Sequence, residues 1–180
     1  MGVVTEAPPA LPAALAEVKA YLRISVSDED ALLAGLVRAA AELCEAFTGR
    51  ALIDRAVEEM VAASTARTPL GAGPVRAITG LAAIDAAGVA TELADDAFAS
   101  GVDAGGEGWV RLKSTSDAVR LHASYRTGMA ADWNGVPEML RHGIVRLAAQ
   151  YYGQREQAGN GGVPAAVTAL WRPWRQLRLR

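Results

Sequence analysis

The segment VPEMLRHGIVRLAAQYYGQRE, residues 136–156, decides the fold. Pro137 stands where a helix's first turn has no use for an N–H, and Glu138 follows at the positive end of the helix dipole. Leu140, Ile144, Leu147 and Tyr151 recur at helical spacing, and a second stripe, Val145, Ala149 and Tyr152, runs beside them. Met139, His142, Arg146, Gln150 and Gly153 make up the remaining arc. A helix apolar over more than half its circumference has to be covered from two sides. One cover can come from this chain and the other from a neighbouring subunit; the alternative is a central helix in a monomeric core.

Working outward, residues 28–48 carry the second strong helical signal. Ser27 is placed to cap it, Asp28, Glu29 and Asp30 sit at its positive end, and Gly49 stops it. Its apolar face includes Leu33, Val37, Ala40, Cys44 and Phe47, and its opposite face carries Ala34, Arg38, Ala41, Glu42 and Glu45. Residues 13–23 form a shorter helix opened by Pro12, and residues 1–12, with Pro8 and Pro9, form an extended, poorly ordered arm. Between residues 51 and 126 the period changes to that of β structure. Strands are predicted at 52–61, 75–84, 89–93, 109–113 and 119–125, with loops at 68–74 and 95–107. Turns at 85–88 and 114–117 make two hairpins of the last four strands. Residues 159–162, Gly-Asn-Gly-Gly, read as a hinge, and Pro164 starts a last helical segment interrupted by Pro173.

These elements predict an α+β fold, mainly α: a small helical bundle with an inserted β-hairpin-rich portion and a hinged C-terminal helix. The predicted organisation is an arm (1–12), a main domain (13–158) and a hinge with a Trp/Arg-rich tail (159–180).

The totals set bounds on function. With 51% apolar residues among 180, a packed core is within reach and a folded chain is expected. No run approaches the ~18 apolar residues of a membrane span, and the N-terminus has no basic region before an apolar run, so neither a membrane segment nor a secretory leader is expected. One cysteine, Cys44, excludes an internal disulfide and falls on an apolar helix face, as a small buried hydrophobe would. Charge is segregated: residues 1–60 hold ten acids against five bases, and residues 137–180 hold two against seven. An acidic head and a basic tail favour head-to-tail association or an acidic partner for the tail.

Catalytic residue types are sparse. His122 and His142 lack neighbouring ligands at metal-site spacing, no glycine pair carries the phosphate-loop lysine, and no nucleophile elbow is present. No catalytic residues, metal or cofactor are therefore expected. The sharpest feature is the tail, WRPWRQLRLR, residues 171–180. Trp beside Arg suits a protein hot spot, and it also suits nucleic acid, where Arg meets phosphate and aromatics stack on bases. Docking on another chain, docking on its own domain and binding nucleic acid all remain open on the residues alone.

Taken in order, LAEVKAYLRI, DEDALLAGLVRAAAELCEAFTGRAL, PVRAITGLAAIDAAG, a β-run ending YRTGM, VPEMLRHGIVRLAAQYYGQRE and VPAAVTALWRPWRQLRL resemble the head–tail connector (adaptor) proteins of tailed phages and gene transfer agents, the gp6-like and gp8-like families. The resemblance spans residues 15–174. It implies a non-enzymatic structural adaptor: a homo-oligomeric ring, commonly of twelve copies, between the portal protein and the tail-side connector or stopper protein. Such a ring extends the channel for packaged DNA, within a virion or phage-like particle assembled in a bacterial cytoplasm. By position it implies portal docking through Val167, Leu170, Trp171, Arg172, Trp174, Arg175, Leu177 and Arg178. Subunit contacts would fall to Val145, Ala149, Tyr152, Arg38 and Glu42.

Overall fold

A computed structural model of the chain describes residues 3–7, 9–154 and 163–176. It contains two compact units, one of β structure formed by residues 1–8 and 53–129, and one helical, formed by residues 9–52 and 130–180.

The β unit holds strands β1 (Val3–Thr5), β2 (Arg55–Ala62), β3 (Thr68–Pro69), β4 (Val75–Ile84), β5 (Ala90–Glu92), β6 (Phe98–Val102), β7 (Gly108–Leu112) and β8 (Arg120–Thr127). They form two sheets, ordered β1-β2-β8-β4-β5 and β3-β7-β6, and every pairing is antiparallel. Val57, Val61, Leu81, Leu121, Ala123 and Tyr125 of the larger sheet share one core with Val110 and Leu112 of the smaller. Alternation puts Val57 and Val61 of β2 inward, and it puts Arg55 and Glu59 there too. Buried Glu59 accepts hydrogen bonds from the Tyr125 hydroxyl at 2.8 Å and from the Gly71 N–H at 2.7 Å. The Tyr125 oxygen in turn accepts from the Ala72 N–H at 3.1 Å. The loop after β3 is thus tied to the sheet by a carboxylate and a phenol, as buried polar groups require.

The predicted strands at 75–84 and 89–93 pair as a hairpin, β4 with β5. The second predicted hairpin does not form. Residues 109–113 and 119–125 lie in different sheets, because both edges of β8 are taken by β2 and β4, and β7 pairs instead with β3 and β6. β6 lies inside the segment predicted to be a loop, where Gly101 and neighbouring small residues weaken the strand signal. Residues 3–5 are not a loose arm but an edge strand on β2, in register Val4 with Glu58. With eight strands beside four α-helices among the described residues, the fold is α+β and not mainly α.

The helical unit contains α1 (Pro12–Leu22), α2 (Asp30–Thr48), α3 (Glu138–Gly153) and α4 (Ala165–Trp171), with 3-10 turns at Trp133–Gly135 and Arg172–Trp174. α2 starts two residues later than predicted. Its cap position is Glu29 with no side-chain cap bond, so Ser27 contributes only its carbonyl, to the Asp30 N–H. Gly49 ends the helix in the left-handed conformation, as expected. α3 is buried along both predicted stripes up to Ala149, Tyr151 and Tyr152 at their ends are half-buried, and Met139, His142, Arg146 and Gly153 are exposed. Trp133 donates its indole N–H to Glu17 at 3.0 Å, and Arg141 also reaches Glu17, at 3.4 Å. Pro173 does not kink a continuing helix; the α-helix ends at Trp171 and gives way to the tighter turn. The predicted hinge at 159–162 lies outside the described residues.

Candidate interaction surfaces

Sequence makes the tail conspicuous, and its described part is docked on its own unit. Trp171 is fully buried, Val167 nearly so. The Trp171 ring packs on Phe47 of α2, centroids 5.9 Å apart, and its N–H points to the Leu140 carbonyl of α3 at 3.4 Å. The slot exists because residue 143 is glycine: a Cβ there would overlap the indole, with ring carbon Cδ1 only 2.9 Å away. Beyond the 3-10 turn, the Arg175 guanidinium lies 5.6 Å from the centre of the Phe47 ring, and the Gln176 N–H donates to the Thr48 carbonyl at 2.8 Å. Residues 175 and 176 therefore lie across the C-terminus of α2, where donors meet carbonyls left over by the helix.

This sorts the eight tail residues. Val167 and Trp171 are consumed by their own core and face no solvent from which a partner could approach. Leu170 and Trp174 are half-buried, and Arg172 and Arg175 are exposed. The Trp174 indole N–H is covered and has no acceptor among the described residues. Leu177 and Arg178 lie outside the described residues.

The five residues expected at a subunit contact also divide. Val145 and Ala149 are buried within the helical unit, so both covers of α3 come from this chain. Tyr152 is half-buried and donates its hydroxyl to Glu29. Only Arg38 and Glu42 stand exposed, one turn apart on α2.

Among the described residues, no three His, Cys, Asp or Glu side chains gather as a metal site, and no helix is long and apolar enough to cross a membrane. An open groove of about 630 Å³ in the β unit is lined by Glu92, Asp95, Ser100, His122 and Ser124. His122 there meets Glu58 at 3.5 Å, with no serine bonded to it among the described residues. Burial raises the Cys44 thiol far above its ordinary range, with nearby Glu45 adding to the effect. The thiolate, which is the reactive form, is thereby suppressed. Cys44 is expected to resist alkylation in the folded chain and to react fully in denaturant, as mass spectrometry would register. Because the folded thiol ionises later than the unfolded one, stability is retained below pH ~9 and falls above it, by up to about 1.4 kcal/mol per pH unit. Cys44→Ala should flatten that slope in melts across pH 8–10.

The sequence profile of the phage gp6-like head-tail connector protein family matches residues 12–92. Three solved structures align over the whole chain and over 98% of their own. They come from the virion of a native gene transfer agent particle (30% identity, TM-score 0.81), the neck of an empty particle computed with C6 symmetry (28%, 0.79) and the neck of a native particle computed with C12 symmetry (29%, 0.77). The chain belongs to the head–tail connector family. Comparison with curated proteins gave no significant match. The connector family is structural and not a family of enzymes. The profile covers α1, α2 and strands β2 to β5, while the structural match also takes in β1 and everything from β6 to α4 of this connector. Sequence reasoning missed Gly143 as the seat of Trp171. Its signal was present, a small residue in mid-helix opposite a tryptophan too large to leave wet.

Proposed function

We propose that the connector is a structural adaptor that forms a ring of twelve copies at the head–tail joint of a phage-like particle, between portal and tail-side proteins, and extends the DNA channel. The observation that carries this reading is the full-length likeness to chains from particle necks, one of them computed with C12 symmetry. In this reading Val167 and Trp171 anchor α4 to the helical unit, Leu170, Arg172, Trp174 and Arg175 meet the portal, and Leu177 and Arg178, outside the described residues, are assigned the same role. Aromatic and arginine side chains side by side make the strongest hot spots. Arg38 and Glu42 offer a neighbouring copy one charge of each sign, a pattern suited to fixing register.

Replacing both exposed arginines, Arg172→Glu with Arg175→Glu, leaves the Trp171 anchor in place. The variant should fold, and it should be captured by portal protein at least about tenfold more weakly than wild type. It should also be missing from purified particle necks. Undiminished capture and a normally filled neck would refute the tail assignment.

A further inference from the structure

The outer face of the small sheet in the β unit carries a feature that the ring reading does not use. Trp109 and Arg111 of β7 lie on one side of the strand, since side chains two apart share a face. Opposite them in register on β6 stand Gly101 and Ala99. The Trp109 indole lies over Gly101 so closely that a Cβ there would come within 2.8 Å of the ring. Arg67 lies over the same ring, its guanidinium carbon 4.2 Å from the ring centre. Glycine, indole and guanidinium thus stack closely together, with Arg111 on the same face of β7, opposite Ala99. Arg67 and Arg111 are both exposed, and neither has a carboxylate partner among the described residues.

We infer that this stack is a binding surface for the phosphate backbone of duplex DNA. Stacking removes much of the rotational freedom of Arg67, so its N–H edges are oriented before any ligand arrives. The covered indole decides between partners. A tryptophan that anchors a protein contact enters a pocket, and one that reads single-stranded nucleic acid stacks on a base. Trp109 is half-buried with a guanidinium already over its ring, so what the surface presents is fixed positive charge beside small residues, which matches phosphates. The acids of the sheet lie at its turn end. There the Asp103 carboxylate is occupied by the N–H groups of Gly105 and Glu107, both at 2.8 Å. The inference rests on the reading that the ring surrounds packaged DNA, and it names the residues that would meet it.

The test uses the full chain and a short fluorescent duplex, titrated by anisotropy between about 25 and 200 mM salt. Wild type should bind with a log–log salt slope near −2, about two phosphates per chain. Arg67→Ala with Arg111→Ala should bring the slope close to zero and cost at least about tenfold in affinity at the lowest salt. The Arg172→Glu, Arg175→Glu variant should keep the wild-type slope. The inference is overturned if wild type fails to bind at the lowest salt, or if the Arg67/Arg111 variant binds as wild type does. Equal competition by a poly-glutamate peptide would also overturn it, as an acidic protein would then fit as well. Particle necks lacking even the wild-type chain would instead overturn the ring reading, so the two failures are distinguishable. Circular dichroism of the double variant, whose changes are on the surface, confirms that it folds.

Discussion

Trp171→Ala is expected to destabilise the helical unit by about 3–5 kcal/mol, the range for deleting a large buried aromatic. The residue is fully buried, packs on Phe47, and fills a slot in α3 that only glycine leaves open. The void would be as large as an indole, and the helices on either side cannot close it without moving their backbones. Denaturant melts followed by circular dichroism would measure the loss. The converse change, Gly143→Ala, adds a methyl group where the indole already sits and should cost about 1–3 kcal/mol. In the double variant the methyl meets no indole, so the two losses should fall short of additive by a kcal/mol or more. Simple additivity would mean that Trp171 does not occupy the slot. Deleting residues 162–180 would remove this core residue together with the exposed arginines. Lost portal binding by such a truncation would then report unfolding as much as a missing contact.

The second large effect is expected at Gly128, at the end of β8. Its φ of +148° lies where side chains are rarely tolerated, and a Cβ would stand 2.6 Å from the Asp54 Cα and the Ile53 carbonyl carbon. The obstacle is backbone, so no rotamer change relieves it. Gly128→Ala should cost on the order of 3 kcal/mol, combining conformational strain with overpacking. The same melts would check it. The nearby ion pair between Arg126 and Asp54, at 3.0 Å, makes a useful contrast. It is exposed, and Arg126→Ala should leave the melts nearly unchanged.

The helices were legible because their period is local. α3 was readable down to its exposed arc, and Gly49 marked the end of α2 by its conformation. Five of the eight strands were legible for the same reason, β4 from end to end, while β1, β3 and β6 fell in segments predicted as arm or loop. Strand partners were not. β8 lies between two strands distant in the sequence, and nothing in its own residues says so. Inward-facing Glu59 was hidden too, since a carboxylate reads as an outward residue until Tyr125 and Gly71 come to meet it. On the tail, composition did not show which residues the chain's own core consumes. Trp171 and Trp174 look alike in sequence and differ only in what lies opposite, Gly143 for the one and no acceptor for the other's N–H.

The helical unit is discontinuous in the chain. Its first half ends at residue 52, and its core is finished only by Trp171, near the C-terminus. A ribosome delivers the chain from the N-terminus, so the β unit, complete by residue 129, can close while α3 and α4 are still to be made. Until then α1 and α2 wait with Leu33, Val37 and Phe47 uncovered. The order of synthesis gives this connector a long interval with half a core exposed, and a nascent chain stalled short of residue 171 should be its most aggregation-prone form.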